Sequence, residues 1–331
     1  MKTIGVIGTE DDEQSGLLLE KTREMGHKPE FIDLGSYKFR NHQPGKANST
    51  TINAGIFCTY GSYDKDFYPT ESDFSSPRSF AQKHENEIRR RIDIVRDIEK
   101  NAYVVCSPAR ALSSDKSSLF LLESEGIKVP KTIITDDPKV AKEEIRRLLE
   151  QQGSAVLKPS DGSLGMGVTL FRASEPNVNK RVNQVIDHFF SPCYNISTVL
   201  NEKYLVQEFI PNPKRKIRTL VIGNEPLAAA YYLCLDKDWK SANPSRYPRR
   251  TDYRKPCKMN DEVRKISTNV GEILKTDIAG IDIIEKVDSK GTVEDYFVCD
   301  VNSPSHWQGL IPISETDIRK RIIEYALEKS Y

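Results

Sequence analysis

The chain alternates short apolar runs with longer stretches in which apolar residues recur every three or four positions. TIGVIG (residues 3–8) is apolar and rich in β-branched residues, and it predicts a buried first strand. A helix follows over about residues 13–25, then PEFIDL and TINAGIFCTY as second and third strands. This β-α-β opening predicts a small doubly wound domain. Residues 61–85 are polar and aromatic and read as a long loop. NEIRRRIDIVRDIEK places Ile88, Ile92, Val95 and Ile98 on one helical face, and AYVVC reads as a fourth strand.

The second half repeats the alternation. SSDKSSLFLLESEGI predicts a helix ending at Gly126, and VPKTIIT a strand. Asp137 is placed to cap a helix with Pro138 at its first position and Gly153 just past its end. Val140, Ala141, Ile145, Leu148 and Leu149 form that helix's apolar side. SAVLKP, GVTLF and KYLVQEFI read as strands, and IRTLVIGNEPLAAAYYL as a hairpin turning at Gly223 and Asn224. VRKISTNVGEIL is a helix, AGIDIIE and YFVCDVN are strands joined by VDSKGTVED, and TDIRKRIIEYALEK is a closing helix. No internal repeat is present.

Composition narrows the class. With 331 residues the chain needs two or three domains or subdomains. Hydrophobic residues at 37% and charged residues at 29% describe an ordinary globular chain. A net charge of +1 gives no global signal for nucleic acid, and no run approaches a membrane span. The six cysteines are scattered without a CxxC pair, and the five histidines show no ligand spacing. They read as reduced thiols of a cytoplasmic protein, and the charged start MKTIGVIGTEDD does not read as a signal peptide. The turn GTEDDEQSG lacks GxGxxG and is acidic, which argues against a dinucleotide there.

The candidate chemistry begins at LKPSDGSLGMGVTLF, residues 157–171. Gly162, Gly165 and Gly167 are too many for a simple hairpin, and a lysine on the entering strand suits a phosphate cover. On this stretch alone, a loose surface loop remains an equal reading. Asp282 interrupts an apolar strand, and Asp300 and Asn302 project from one face of another. Acids in apolar strands are costly unless paired or bound to metal. Two carboxylates and an amide oxygen are the hard ligands that suit Mg²⁺, which in turn seeks phosphate oxygens. Together these features predict a nucleoside-triphosphate lid over a magnesium site.

The blocks DKSSLFLLESEGIKVPKT, AVLKPSDGSLGMGVTLF, YLVQEFI, IRTLVIG, AGIDIIE and DVNSPSHWQGL run in this order over residues 100–315. Their order resembles the ATP-grasp superfamily, in particular its RimK-like and glutathione-synthetase-like carboxylate–amine ligases. The resemblance implies an α/β (α+β) chain: a doubly wound domain over residues 1–112, a small lid subdomain over 113–200, and a C-terminal subdomain over 201–331. It implies that Lys116 and Lys158 reach the phosphates of ATP, with Ser163, Gly165 and nearby backbone as their cover. It implies an adenine hinge at Gln207, Glu208, Phe209 and Ile210, and Arg218 and Asn243 at the transferred phosphoryl group. Asp282, Asp300 and Asn302 would hold one or two Mg²⁺, or Mn²⁺ in its place. Read bottom-up, the plainer alternatives are a solvated helix lysine for Lys116, a plain strand for the hinge and a surface ion pair for Arg218, each ranked below the functional reading.

Three positions depart from the family pattern. Lys216 stands where relatives often carry an acid, Asp300 where glutamate is commoner, and SPSHWQGL where a Ser-Pro-Gly turn is usual. His306 and Trp307 therefore belong either to an unusual acceptor pocket or to packing of the last turn. Residues 240–258 hold seven basic residues and one acid, with Tyr247 and Tyr253 interleaved. They form either a solvated loop or a cover for an acidic substrate; a nucleic-acid surface ranks last. The expected reaction joins a small-molecule or peptide acid to an amine through an acyl-phosphate, releasing ADP and phosphate. A small-molecule kinase on the same fold and a non-catalytic ATP-binding regulator are the alternatives. The substrates' identity and a homo-oligomer stay open.

Overall fold

Three sheets carry the apolar runs. The computed structural model describes residues 1–10, 12–35, 52–58, 77–108, 116–160, 168–189, 203–234, 254–303 and 305–330. The first sheet is parallel, with β1 (Thr3–Gly8) between β2 (Lys28–Asp33) and β3 (Ala54–Phe57), and β4 (Tyr103–Val105) outside β3. Parallel strands are covered on both faces, which is why β1 is a continuous apolar run. Helix α1 (Glu13–Glu24) begins at Asp12, whose carboxylate accepts from the N–H groups of Gln14 and Ser15. Helix α2 spans Pro77–Glu99.

The middle sheet is antiparallel: β5 (Thr132–Thr135), β8 (Tyr204–Glu208), β6 (Ser154–Pro159) and β7 (Thr169–Arg172), in that spatial order. Between α3 (Ser118–Ser124) and α5 (Val178–Phe189) in sequence lies α4 (Pro138–Gln152). The capping reading of α4 holds: Asp137 accepts from Lys139 N–H, Pro138 opens the helix, and Gly153 closes it at φ 74°. Ala141, Ile145 and Leu148 of α4 and Val182 and Ile186 of α5 pack on Leu157, Phe171 and Tyr204 of the sheet.

The third sheet is also antiparallel, ordered β11 (Arg254–Pro256), β10 (Glu225–Leu233), β9 (Arg215–Ile222), β12 (Ile278–Val287) and β13 (Val293–Asn302). The expected β9–β10 hairpin turns at Gly223, with φ 59°. Helix α6 (Asp261–Leu274) buries Val263 and Val270 against β9 and β12, in a core that also takes Leu119 and Leu122 of α3. The last helix, α7 (Ile318–Lys329), returns to the first sheet and packs Ile318, Ile322 and Ile323 with Ile4, Val6 and Val105.

The structure corrects four expectations. Residues 77–85, expected in a loop, are helical backbone of α2. Pro77 suits a first helical turn, and Ala, Gln, Lys and Glu hold a helix without apolar periodicity. Helix α5 was not foreseen, although Val178, Val182, Val185 and Ile186 keep helical spacing. Val140 is exposed rather than part of the apolar side of α4. Finally, β8 pairs with β5 and β6, so a division at residue 200 cuts the middle sheet. Among the described residues no helix is long and apolar enough to cross a membrane.

Candidate active site

Strand register assembles the polar groups. Asp282 of β12 lies opposite Arg218 of β9 on one side and opposite Asp300 of β13 on the other. Directly opposed residues project from the same sheet face, so three charged side chains form a row across three strands. Two residues along, Gly280 pairs with Asn302 and keeps Asn302 on that face. Between Asp282 and Ile283 the register slips from Asp300 to Val298, which leaves Cys299 as the extra residue of a bulge. A Cβ on Gly280 would collide with the Arg218 guanidinium and the Ser305 hydroxyl, so glycine gives both their place.

Asp282 is 2% exposed, and both of its oxygens have a cation beside them. Lys216 Nζ stands 2.6 Å from Oδ2 and Arg218 Nε 2.7 Å from Oδ1. Burial is the largest influence on Lys216 and Arg218 and would lower their pKa, but the Asp282 charge together with smaller contributions from neighbouring groups leaves both raised. Asp300 is the focus of a wider group. Burial would raise its carboxyl, yet Lys116, Lys158, Lys216 and Arg218 together hold it below the usual range. These cations come from separate elements: Lys116 from the turn before α3, Lys158 from β6, and Lys216 and Arg218 from β9. Lys158 is itself pulled down, first by burial, with Asp300 opposing. The Cys299 thiol, buried among the same groups, is pushed up to about 11 by desolvation and stays protonated.

Asn302 Nδ2 donates to Asp300 Oδ2 at 3.4 Å, which sets the amide group beside that carboxylate. A carboxylate and an amide oxygen side by side are hard donors and fit Mg²⁺. Among the described residues no cluster of three His, Cys, Asp or Glu side chains forms a closed metal cage. Asp282, expected as a third ligand, has a cation beside each oxygen, while its Oδ1 makes no hydrogen bond.

The expected hinge lies at the end of β8. Gln207 is buried and its Nε2 donates to Thr132 Oγ1 at 2.7 Å. The Glu208 N–H donates to the Lys131 carbonyl, and Glu208 Oε1 accepts from Lys131 N–H at 2.9 Å. Both residues thus direct these groups into the sheet. Phe209 and Ile210 continue the chain beyond it, with the Ile210 carbonyl accepting from Asn212 at 3.0 Å. Ser163, Gly165 and Asn243 lie outside the described residues, as does most of the basic segment. Its described end, Arg254, stacks over Gly309, where a Cβ would strike the guanidinium.

At the far end of the row, Trp307 is buried in the core beneath the first sheet, so packing is its role. His306 is exposed. Burial lowers its pKa first of all, Arg218 adds to this, and Asp12 opposes. Sequence reasoning did not foresee Cys299 or the engagement of Lys216 with Asp282. The second had a signal: with β9 beside β12, alternate residues 216 and 218 reach the same neighbour.

A model of the RimK-like ATP-grasp domain matches residues 113–326. The chain is 23% identical over 348 residues to the tetrahydromethanopterin:alpha-L-glutamate ligase of Methanosarcina acetivorans, covering 98% of each. It is 26% identical to the alpha-aminoadipate–LysW ligase LysX of Saccharolobus solfataricus, over 80% of this chain and 90% of that one. Among solved structures, the ATP-grasp ligase PsnB complexed with minimal precursor, Mg and ADP superposes with a TM-score of 0.67 at 18% identity. That match covers 99% of this chain and 98% of PsnB.

Proposed function

Because the chain belongs to the RimK-like ATP-grasp family, we infer that it is an ATP-dependent carboxylate–amine ligase. The observation that carries the site assignment is the convergence of Lys116, Lys158, Lys216 and Arg218 on Asp300. A set of cations from three elements around one carboxylate suits a polyanion that brings its own divalent ion. In this reading ATP lies between the middle and third sheets. Lys116 and Lys158 bind its phosphates as point charges. Arg218 holds the equatorial oxygens as the terminal phosphoryl group passes to the substrate carboxylate, giving an acyl-phosphate and ADP. The substrate amine then attacks the acyl carbon, the amide forms, and phosphate leaves. Asp300 and Asn302 would hold Mg²⁺, which when bound neutralises charge on the phosphates. The protein contributes position and fixed charge and forms no bond to the substrate.

The relatives named above act on glutamate and on alpha-aminoadipate, both acidic amino acids. An acidic amino acid as one substrate agrees with Arg254 beside Gly309 and with the basic segment leading to it. Ser163 and Gly165 as phosphate cover, Asn243 near the phosphoryl group, and residues 207–210 as hinge remain part of the proposal, as does a cytoplasmic setting. The test is a coupled ADP-release screen of acidic amino acids against amines, small acids and peptides, followed by mass analysis. An amide product formed only when both partners are present is expected. A stable phosphorylated product without any amine would make the protein a kinase.

A further inference from the structure

Lys216 departs from the family pattern, and the structure shows where its charge goes. Its ammonium lies 2.6 Å from Asp282 Oδ2, with the Tyr232 ring 5.9 Å away on the strand beyond. Arg218 Nε covers the other oxygen at 2.7 Å. Asp282 is 2% exposed and has a cation within 2.7 Å of each oxygen, although its Oδ1 makes no hydrogen bond. Asp300, its cross-strand neighbour, is only half-buried, and Asn302 lies beside it. Two carboxylates in a row therefore differ in what they can offer: one is buried with a cation beside each oxygen, and one is only half-buried.

We propose that the Lys216 ammonium occupies the place on Asp282 that a second divalent cation would take, so that the nucleotide complex holds a single divalent ion, on Asp300 and Asn302. This rests on the nucleotide reading given above. The charge balance supports it. Lys116, Lys158, Lys216 and Arg218 outnumber Asp282 and Asp300 before any metal arrives. One divalent ion with a triphosphate brings the pocket near neutrality, whereas a second would face the Lys216 and Arg218 charges directly. Lysine here does the work of a fixed cation. Unlike an ion it is not exchanged with solvent, and its position is set by β9.

The test counts ions. The full chain is saturated with a non-hydrolysable ATP analogue and titrated with Mn²⁺, and bound Mn²⁺ is read by electron paramagnetic resonance. One Mn²⁺ per nucleotide-loaded chain is expected, and two would overturn the proposal. Asp282→Asn should still bind one, while Asp300→Asn should bind none. Loss of Mn²⁺ in Asp282→Asn, with its melting temperature and analogue affinity retained, would make Asp282 a ligand and sink the idea. Lys216→Met, which opens Asp282, should bind two, and Lys216→Arg one. The wild-type count decides even if a variant fails to fold. Failure of the wild type to bind the analogue at all would remove the nucleotide reading itself, and this inference with it.

Discussion

Asp277 and Asp282 lie five residues apart on either side of the start of β12, and each is 2% exposed. Among the described residues their partners differ. Asp277 accepts from the Tyr103 hydroxyl at 2.5 Å, the Tyr325 hydroxyl at 3.1 Å and the Cys106 N–H at 2.8 Å. These donors are neutral and come from β4, the turn after it, and α7. Asp282 meets Lys216 and Arg218, both on β9. Asp277 ties the first sheet and the closing helix to the third sheet. The tie is strong enough to hold Cys106, a residue with a Cβ, at φ 58°, where the backbone costs about 1–2 kcal/mol. The difference teaches how to tell a structural acid from a chemical one. Burial is the same in both; among the described residues the charge and origin of the partners differ, and the cationic cluster has charge left over for a ligand.

The largest expected effect tests the chemical end of that contrast. Asp300→Ala should lower kcat by about a thousandfold or more, since loss of metal-borne charge neutralisation removes several kcal/mol. Its melting temperature should stay close to wild type, because Asp300 is only half-buried. Near-normal turnover at saturating Mg²⁺ would break the division of roles.

Asp277→Ala should do the reverse. It leaves two hydroxyls and an N–H without their acceptor in a packed core, at a cost of about 3 kcal/mol in total stability. A clear drop in the denaturation midpoint is expected, with KM for ATP within about twofold of wild type. If stability held and activity fell instead, Asp277 would belong with the site.

Lys158→Ala sharpens the chemical side from the cationic partner. Burial is the largest influence on Lys158 and lowers its pKa, so the free protein carries that ammonium under strain. Removing it should weaken binding of an ATP analogue by about 2 kcal/mol, some thirtyfold, without destabilising the fold. Calorimetry that finds unchanged affinity would leave Lys158 a structural lysine.

How far this contrast can be read from the sequence depends on which signal each feature uses. Asp282 and Asp300 stand out because each breaks an apolar strand, and strand periodicity alone puts Asn302 on the face of Asp300. Asp277 does not stand out, since KTDIAG reads as an ordinary polar entry to a strand. Its partners lie 174 and 48 residues away, and no local pattern joins them. The same holds for β8, whose sequence marks a strand but not which sheet receives it. Lys216 looks out of place only against the family pattern. What offsets the cost of burying Asp282 is a register, and register is a property of pairs of strands. Residues 77–85 failed for a different reason: their helix rests on propensity, whereas the reading relied on apolar spacing.

A third carboxylate separates cation pairing from burial. Asp317 caps α7, accepting from the N–H groups of Arg319 and Lys320, and pairs with Lys21 at 2.9 Å, with its side chain 33% exposed. Burial is the largest single influence on it and raises its pKa, yet Lys21, Arg319 and the helix N–H groups together pull it down to about 2. In the unfolded chain the group titrates near about 4. A depressed folded value means stability that is fully present above the unfolded value and is lost as pH falls through the folded one. Asp317→Asn keeps a capping oxygen and removes the charge. At pH 6 the variant should be less stable by about 0.5–1 kcal/mol, the scale of an exposed pair and a helix-terminal charge. Between about pH 4 and pH 2 the wild type should lose that advantage, so the two stability curves converge. Urea midpoints across this range would show it. Activity at pH 7 should not change, because Asp317 caps α7 and pairs with Lys21 and is no part of the row of Arg218, Asp282 and Asp300. A gap that stays constant down to pH 2 would mean that the carboxylate acts only through its shape, and pairing with cations would then lose its value as a marker on the surface while keeping it in the row of Arg218, Asp282 and Asp300.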